Sequence, residues 1–111
     1  MRRVYFALSL GIVALGFIHM AATPRHLTSA AVWFASGGFA MVLTGALNLL
    51  RQVYGAAAPG LRVVCIAANV AMTAFALVAG YVGRASAGQF VVVLGLMGGA
   101  TLLSVLPAAQ R

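Results

Sequence analysis

Four long apolar runs alternate with short stretches that hold nearly all of the charge. The first, about 4–22, follows Arg2-Arg3 and stops at Thr23-Pro24, because the residue before a proline is pushed out of the helical region. The second, about 30–50, starts after Thr28 or Ser29, either of which can cap a helix, and meets a stop at Gly55. Ala56-Ala57-Ala58-Pro59-Gly60 then turns the chain, and the third run, about 61–82, begins beside Arg62. Gly83-Arg84-Ala85-Ser86-Ala87-Gly88 leads to the fourth run, about 89–106, which Pro107 ends. Each run approaches the ~20 apolar residues that cross a bilayer as a helix. The pattern predicts an all-α membrane protein, with residues 1–111 forming a single transmembrane domain of four helices in an up-down-up-down bundle.

Placed at 100° intervals, the runs acquire sides. On helix 2, Trp33, Gly37, Ala40, Thr44, Asn48 and Arg51 share a face; on helix 3, Arg62, Cys65, Asn69, Thr73, Ala76, Gly80 and Gly83 do. Helix 1 has a thinner version in Ser9, Gly16, His19 and Thr23, and helix 4 has Gly95 with Gly98 and Gly99. Lipid tails are as apolar as leucine, so helices in a bilayer meet through small residues and interhelical hydrogen bonds, and these faces are read as packing seams. Helix 2 leaves near Leu50 and helix 3 enters near Arg62, so residues at equal depth have numbers summing to roughly 113 at ~1.5 Å rise per residue. That register sets Asn69 opposite Thr44 and Asn48 opposite Cys65. The chain also reads as two hairpins of similar plan with Gly-Gly pairs at Gly37-Gly38 and Gly98-Gly99, which would be related in parallel about the membrane normal.

Composition removes the soluble alternatives: 64% of residues are hydrophobic, 6% are charged and mean hydropathy is +1.10. The net charge of +7 sits at the edges of the apolar runs without forming a basic stripe. This points to anionic lipid headgroups as partners of the arginines, and not to nucleic acid. Arg2, Arg3, Arg51, Arg62 and Arg111 fall on one side, against Arg25 and Arg84 on the other, which orients both termini to the cytoplasm of a bacterial-type inner membrane. Trp33 and Tyr81 then fall near the outer interface, and Tyr5 and Tyr54 near the inner one. Met20-Ala21-Ala22 is a poor cleavage site, so the first run is read as a retained span and not a signal peptide.

Catalysis is short of parts. There is no Asp or Glu to serve as general base, hard-metal ligand or proton relay. Cys65 and His19 sit at opposite ends of their spans, over ~15 Å apart, and Ser9, Ser36 and Ser104 have no identifiable base. One cysteine permits neither an internal disulfide nor a multi-cysteine metal site. His19 is the ionisable group inside a span. It lies level with Trp33, one turn from the helix end, which favours packing on that ring; the competing use is a haem or copper site at the outer face with Met20 or His26. Otherwise no cofactor is expected.

Size and four-span plan are similar to those of the small multidrug resistance transporters. That resemblance covers architecture only; it implies a membrane-embedded glutamate in helix 1, which this sequence lacks, so proton-coupled drug export is not expected. The expected function is association without enzymatic activity, as a homo-oligomer or an accessory subunit of a larger membrane complex, through seams carried by Trp33, Gly37, Thr44, Asn48, Asn69, Thr73, Gly80, Gly95 and Gly99. The alternative is a passive carrier or channel for a small neutral or cationic solute between helices 2 and 3, since hydroxyls and amides can line such a path.

Overall fold

The computed structural model describes residues 2–23, 25–26 and 28–106; Pro24, Pro107 and Arg111, named above as a helix stop, a helix stop and a charge, lie outside them. The described residues form helices and no strands: α1 Arg2–Ala21, α2 Ser29–Tyr54, α3 Pro59–Val82 and α4 Ala87–Val105. All four are long and apolar enough to cross a membrane. The long axis of 44 Å compares with the ~40–45 Å of a bilayer including its headgroups.

Local chemistry sets the boundaries. The hydroxyl of Thr28 accepts from the Ala31 amide at 3.1 Å and caps α2, which runs on to Tyr54 before Gly55. α3 starts two residues earlier than the apolar run suggests because Pro59 takes the first helical position, where its missing N–H costs nothing. α4 also starts two residues early. Ser86 and Gln89 form a capping box: Ser86 Oγ accepts from the Gln89 amide at 3.2 Å, and the Ser86 amide donates to Gln89 Oε1 at 2.9 Å.

The tightest pairing is α1 with α2, followed by α3 with α4, and the two pairs meet through α1 with α4 and α2 with α3. Close approach of α1 and α2 needs glycine. A Cβ added to Gly16 would stand 2.7 Å from the Gly38 carbonyl oxygen, and one added to Gly45 would stand 2.9 Å from that of Ser9. α3 and α4 approach where Gly80 lies under the Phe90 ring, and α4 reaches α1 where Gly99 meets Leu8. The apolar core is small: Ile12, Met41, Met97 and Ala100 are buried together, with Leu15, Met72, Val93 and Leu96 around them.

Candidate functional site

Two regions carry features beyond apolar packing, and the Ile12, Met41 and Met97 core separates them. Toward the end that holds the N-terminus is a buried polar chain. α1 contributes Tyr5 and Ser9, both fully buried, on the face that continues through Ile12 and Gly16. Tyr5 Oη donates to Asn48 Oδ1 at 2.5 Å. Asn48 Nδ2 donates to Asn69 Oδ1 at 2.8 Å, and Asn69 Nδ2 returns the bond to Asn48 Oδ1 at 2.8 Å. Cys65 Sγ donates to the same Asn48 oxygen at 3.2 Å. Thr73 Oγ1 bonds the Asn69 carbonyl at 2.8 Å and lies 2.9 Å from Thr101 Oγ1 on α4. The chain Tyr5, Asn48, Asn69, Thr73, Thr101 therefore joins all four helices, and each polar group finds its partner away from lipid.

Part of the sequence register holds in this region and part does not. Asn48 meets Cys65, whereas Asn69 bonds Asn48 and not Thr44. The hydroxyl of Thr44 is already satisfied by the Ala40 carbonyl of its own helix at 2.8 Å. The sequence places Tyr5 near one end of its span, and in the structure its ring turns inward and is fully buried. The spacing 5, 9, 12, 16 marks one helical face and is the signal that finds it.

Arg51 is also buried, with 3% of its surface exposed, and its Nη1 has no hydrogen-bond partner. At the same end Arg2 Nη2 donates to the Gln52 carbonyl at 3.4 Å, and Gln52 Nε2 donates to Ser9 Oγ at 3.2 Å.

On the other side of the core the two hairpins part and leave a cleft of about 950 Å³. Its walls are His19, Phe34, Gly37 and Met41 from the first hairpin, and Met72, Phe75, Gly80 and Phe90 from the second. His19 stacks on Phe34, ring centroids 3.8 Å apart and planes at 13°, where the sequence pointed to Trp33. Trp33 lies at the cleft wall with 72% of its surface exposed. Met20, suggested as a copper partner for His19, turns its side chain to Gly38 in the α1–α2 seam; His26 is exposed in the connection. Among the described residues no three His, Cys, Asp or Glu gather in a ligand set.

The remaining seam residues divide by environment. Gly37 faces the His19 ring across the cleft wall and not a helix backbone, and its neighbour Gly38 makes the α1 contact. Gly80 and Gly99 pack within the chain, whereas Gly95 has nothing within 4 Å. Compared with protein-family models, with curated proteins and with solved structures, this chain gives no match.

Proposed function

We propose that this chain is a multi-pass protein of a bacterial-type inner membrane, an up-down-up-down bundle with both termini cytoplasmic, and that it acts by association and not by catalysis. Its partner is a second copy or a larger membrane complex to which it is an accessory subunit. One contrast among glycines carries the reading. Gly16, Gly38, Gly45, Gly80 and Gly99 are each closed off by a neighbour in the chain, whereas Gly95 and Gly98 have nothing within 4 Å. With Val91 and Leu102, 72% and 59% exposed, they recur at 91, 95, 98 and 102 and form one outward strip of α4. Small residues on a lipid-facing strip let another helix approach closely, which is the main source of attraction between helices in a bilayer.

The test is mass in mild detergent by light scattering, with identification of co-purifying membrane proteins. At least two chains per particle, or a stoichiometric partner, is expected, and Gly95→Leu should release single chains. A strictly monomeric particle with no partner would count against association.

The cleft favours a second reading, a passive carrier for a small neutral or cationic solute. Its volume and largely apolar lining, with His19 and Gln89 as polar groups, suit a small molecule. In this reading the Asn48–Asn69 pair would have to open to complete the path. Flux into proteoliposomes decides, and no leak above empty vesicles removes the idea.

A further inference from the structure

We infer that the end of the bundle holding Arg2, Arg51 and Arg62 is a binding site for a phosphate group. A buried ionised side chain is costly unless it is paired, and a guanidinium cannot shed its charge in a protein. Arg51 is buried, its Nη1 lacks a partner, and the sequence has no Asp or Glu to supply a side-chain counter-ion. The carbonyls at the end of α2 offset part of the charge, since Arg51 stands in the last turn, but a helix end is worth only about half an elementary charge.

More positive charge stands at the same end. The Cys65–Asn48 bond fixes the register of α3 on α2; one turn further along, Arg51 follows Asn48 and Arg62 precedes Cys65, so the two arginines stand level. Arg2 is held beside them by its bond to the carbonyl of Gln52, the residue after Arg51. Three helices thus carry arginines to one end, and like charges gathered there repel unless an anion is shared. Forked donors available from three helices match an anion with more than two acceptor oxygens, and a tetrahedral phosphate has that form. The arginine stem is long enough to turn its head toward such a group at the bundle's end. The phosphate is either that of an anionic lipid headgroup or free in solution, and the chemistry of recognition is the same.

Thermal unfolding of the full chain in a non-ionic detergent, cleared of anionic lipid, tests the site with three additions: phosphatidylglycerol, phosphatidylcholine and inorganic phosphate. Phosphatidylglycerol or inorganic phosphate is expected to raise the midpoint by about 5 °C, and phosphatidylcholine, whose headgroup carries its own cation, by much less. A response to the lipid alone identifies a headgroup as the source; a response to inorganic phosphate alone identifies a soluble one. Arg51→Gln should lose the shift and, with no phosphate present, unfold at a higher temperature than the parent, because an uncompensated charge has been removed. Arg62→Gln, which keeps the buried arginine, should show a reduced shift, so the site remains testable if Arg51→Gln does not fold. Arg3→Gln, an exposed arginine of the same end, should keep the full shift. No shift with either phosphate source, or a shift that persists in both Arg51→Gln and Arg62→Gln, overturns the inference. Light scattering on the same samples separates this result from the fate of the association reading.

Discussion

Asn48 and Asn69 face each other in the buried seam of α2 and α3 and exchange two hydrogen bonds, each 2.8 Å long. The pair is unequal. Asn48 also accepts from Tyr5 and Cys65 and donates to the Thr44 carbonyl at 2.8 Å, so it ties three helices together, whereas Asn69 serves mainly one neighbour. In detergent unfolding, Asn69→Leu is expected to lose ~1 kcal/mol and Asn48→Leu ~2 kcal/mol, because interhelical bonds in membrane proteins average about 0.6 kcal/mol each. The double variant should cost about 1 kcal/mol less than the sum of the two, since both singles remove the same bonds. Additive losses would mean that the two amides act independently.

Gly38 and Gly98 are each the second or first of an adjacent glycine pair, and their environments differ sharply. A Cβ on Gly38 would lie 2.8 Å from the Gly16 carbonyl oxygen, a backbone atom that cannot move alone, whereas one on Gly98 would meet nothing within 4 Å. Gly38→Ala should therefore destabilise the chain by about 1–3 kcal/mol, the usual range for overpacking. Gly98→Ala should leave unfolding of the single chain within ~0.5 kcal/mol of the parent or improve it, because alanine is the better helix former. Equal effects at the two positions would refute this account of the α1–α2 seam.

Much of this fold is legible in the chain because long apolar runs admit few structures and short connections keep consecutive helices in contact, but not which pairs pack tightly: α2 and α3, across as short a turn as α3 and α4, meet more loosely. The register of α2 and α3 was partly legible. Equal depth places Asn69 at Thr44, but side chains in a helix lean toward its N-terminus, so in an antiparallel pair Asn48 leans one way and Asn69 the other, and the two amides meet about one turn from that register. Depth alone does not say which way Tyr5 turns, because an aromatic near a span's end also suits the interface; the face shared with Ser9, Ile12 and Gly16 is what turns it inward. The cleft was not legible. Apolar residues facing an open space between hairpins have the same pattern as apolar residues facing lipid, so Met72 and Phe75 carry no sign of it.

The turn between α3 and α4 contains the described non-glycine residue with a left-handed backbone, Arg84 at φ 53°. The Ala85 amide donates to the Gly80 carbonyl at 2.9 Å and the Arg84 amide to that of Tyr81 at 3.3 Å, the pair of bonds that closes a helix end on a left-handed residue. Glycine suits that position best, and here it stands one place too early, at Gly83. Because the left-handed conformation costs an L-residue ~1–2 kcal/mol, Arg84→Gly should raise stability by about 0.5–1 kcal/mol after its greater unfolded-state entropy is counted. Arg84→Val should lower it. A loss in the glycine variant would show that the Arg84 side chain holds the turn through a contact of its own.

His19 tests whether the cleft wall depends on the shape of a ring or on the chemistry of an imidazole. It is half-buried and stacked on Phe34 at 3.8 Å, and its Nε2 comes within 3.6 Å of where a Cβ on Gly37 would stand. Stacked aromatic pairs are worth ~0.5–1.5 kcal/mol beyond area burial, so His19→Ala should lose ~1 kcal/mol or somewhat more in detergent unfolding. His19→Phe keeps a flat ring of similar size at the same place and should unfold within ~0.5 kcal/mol of the parent. Equal losses in both variants would mean that a ring nitrogen, not the stack, supports this wall, and would return the metal or haem reading of His19 to the front. Protein from haem-replete cells would then be checked for a Soret band and for copper. If His19→Phe retains both the stability and the oligomeric mass of the parent, the imidazole is one acceptable ring among several, and the wall is a packing surface.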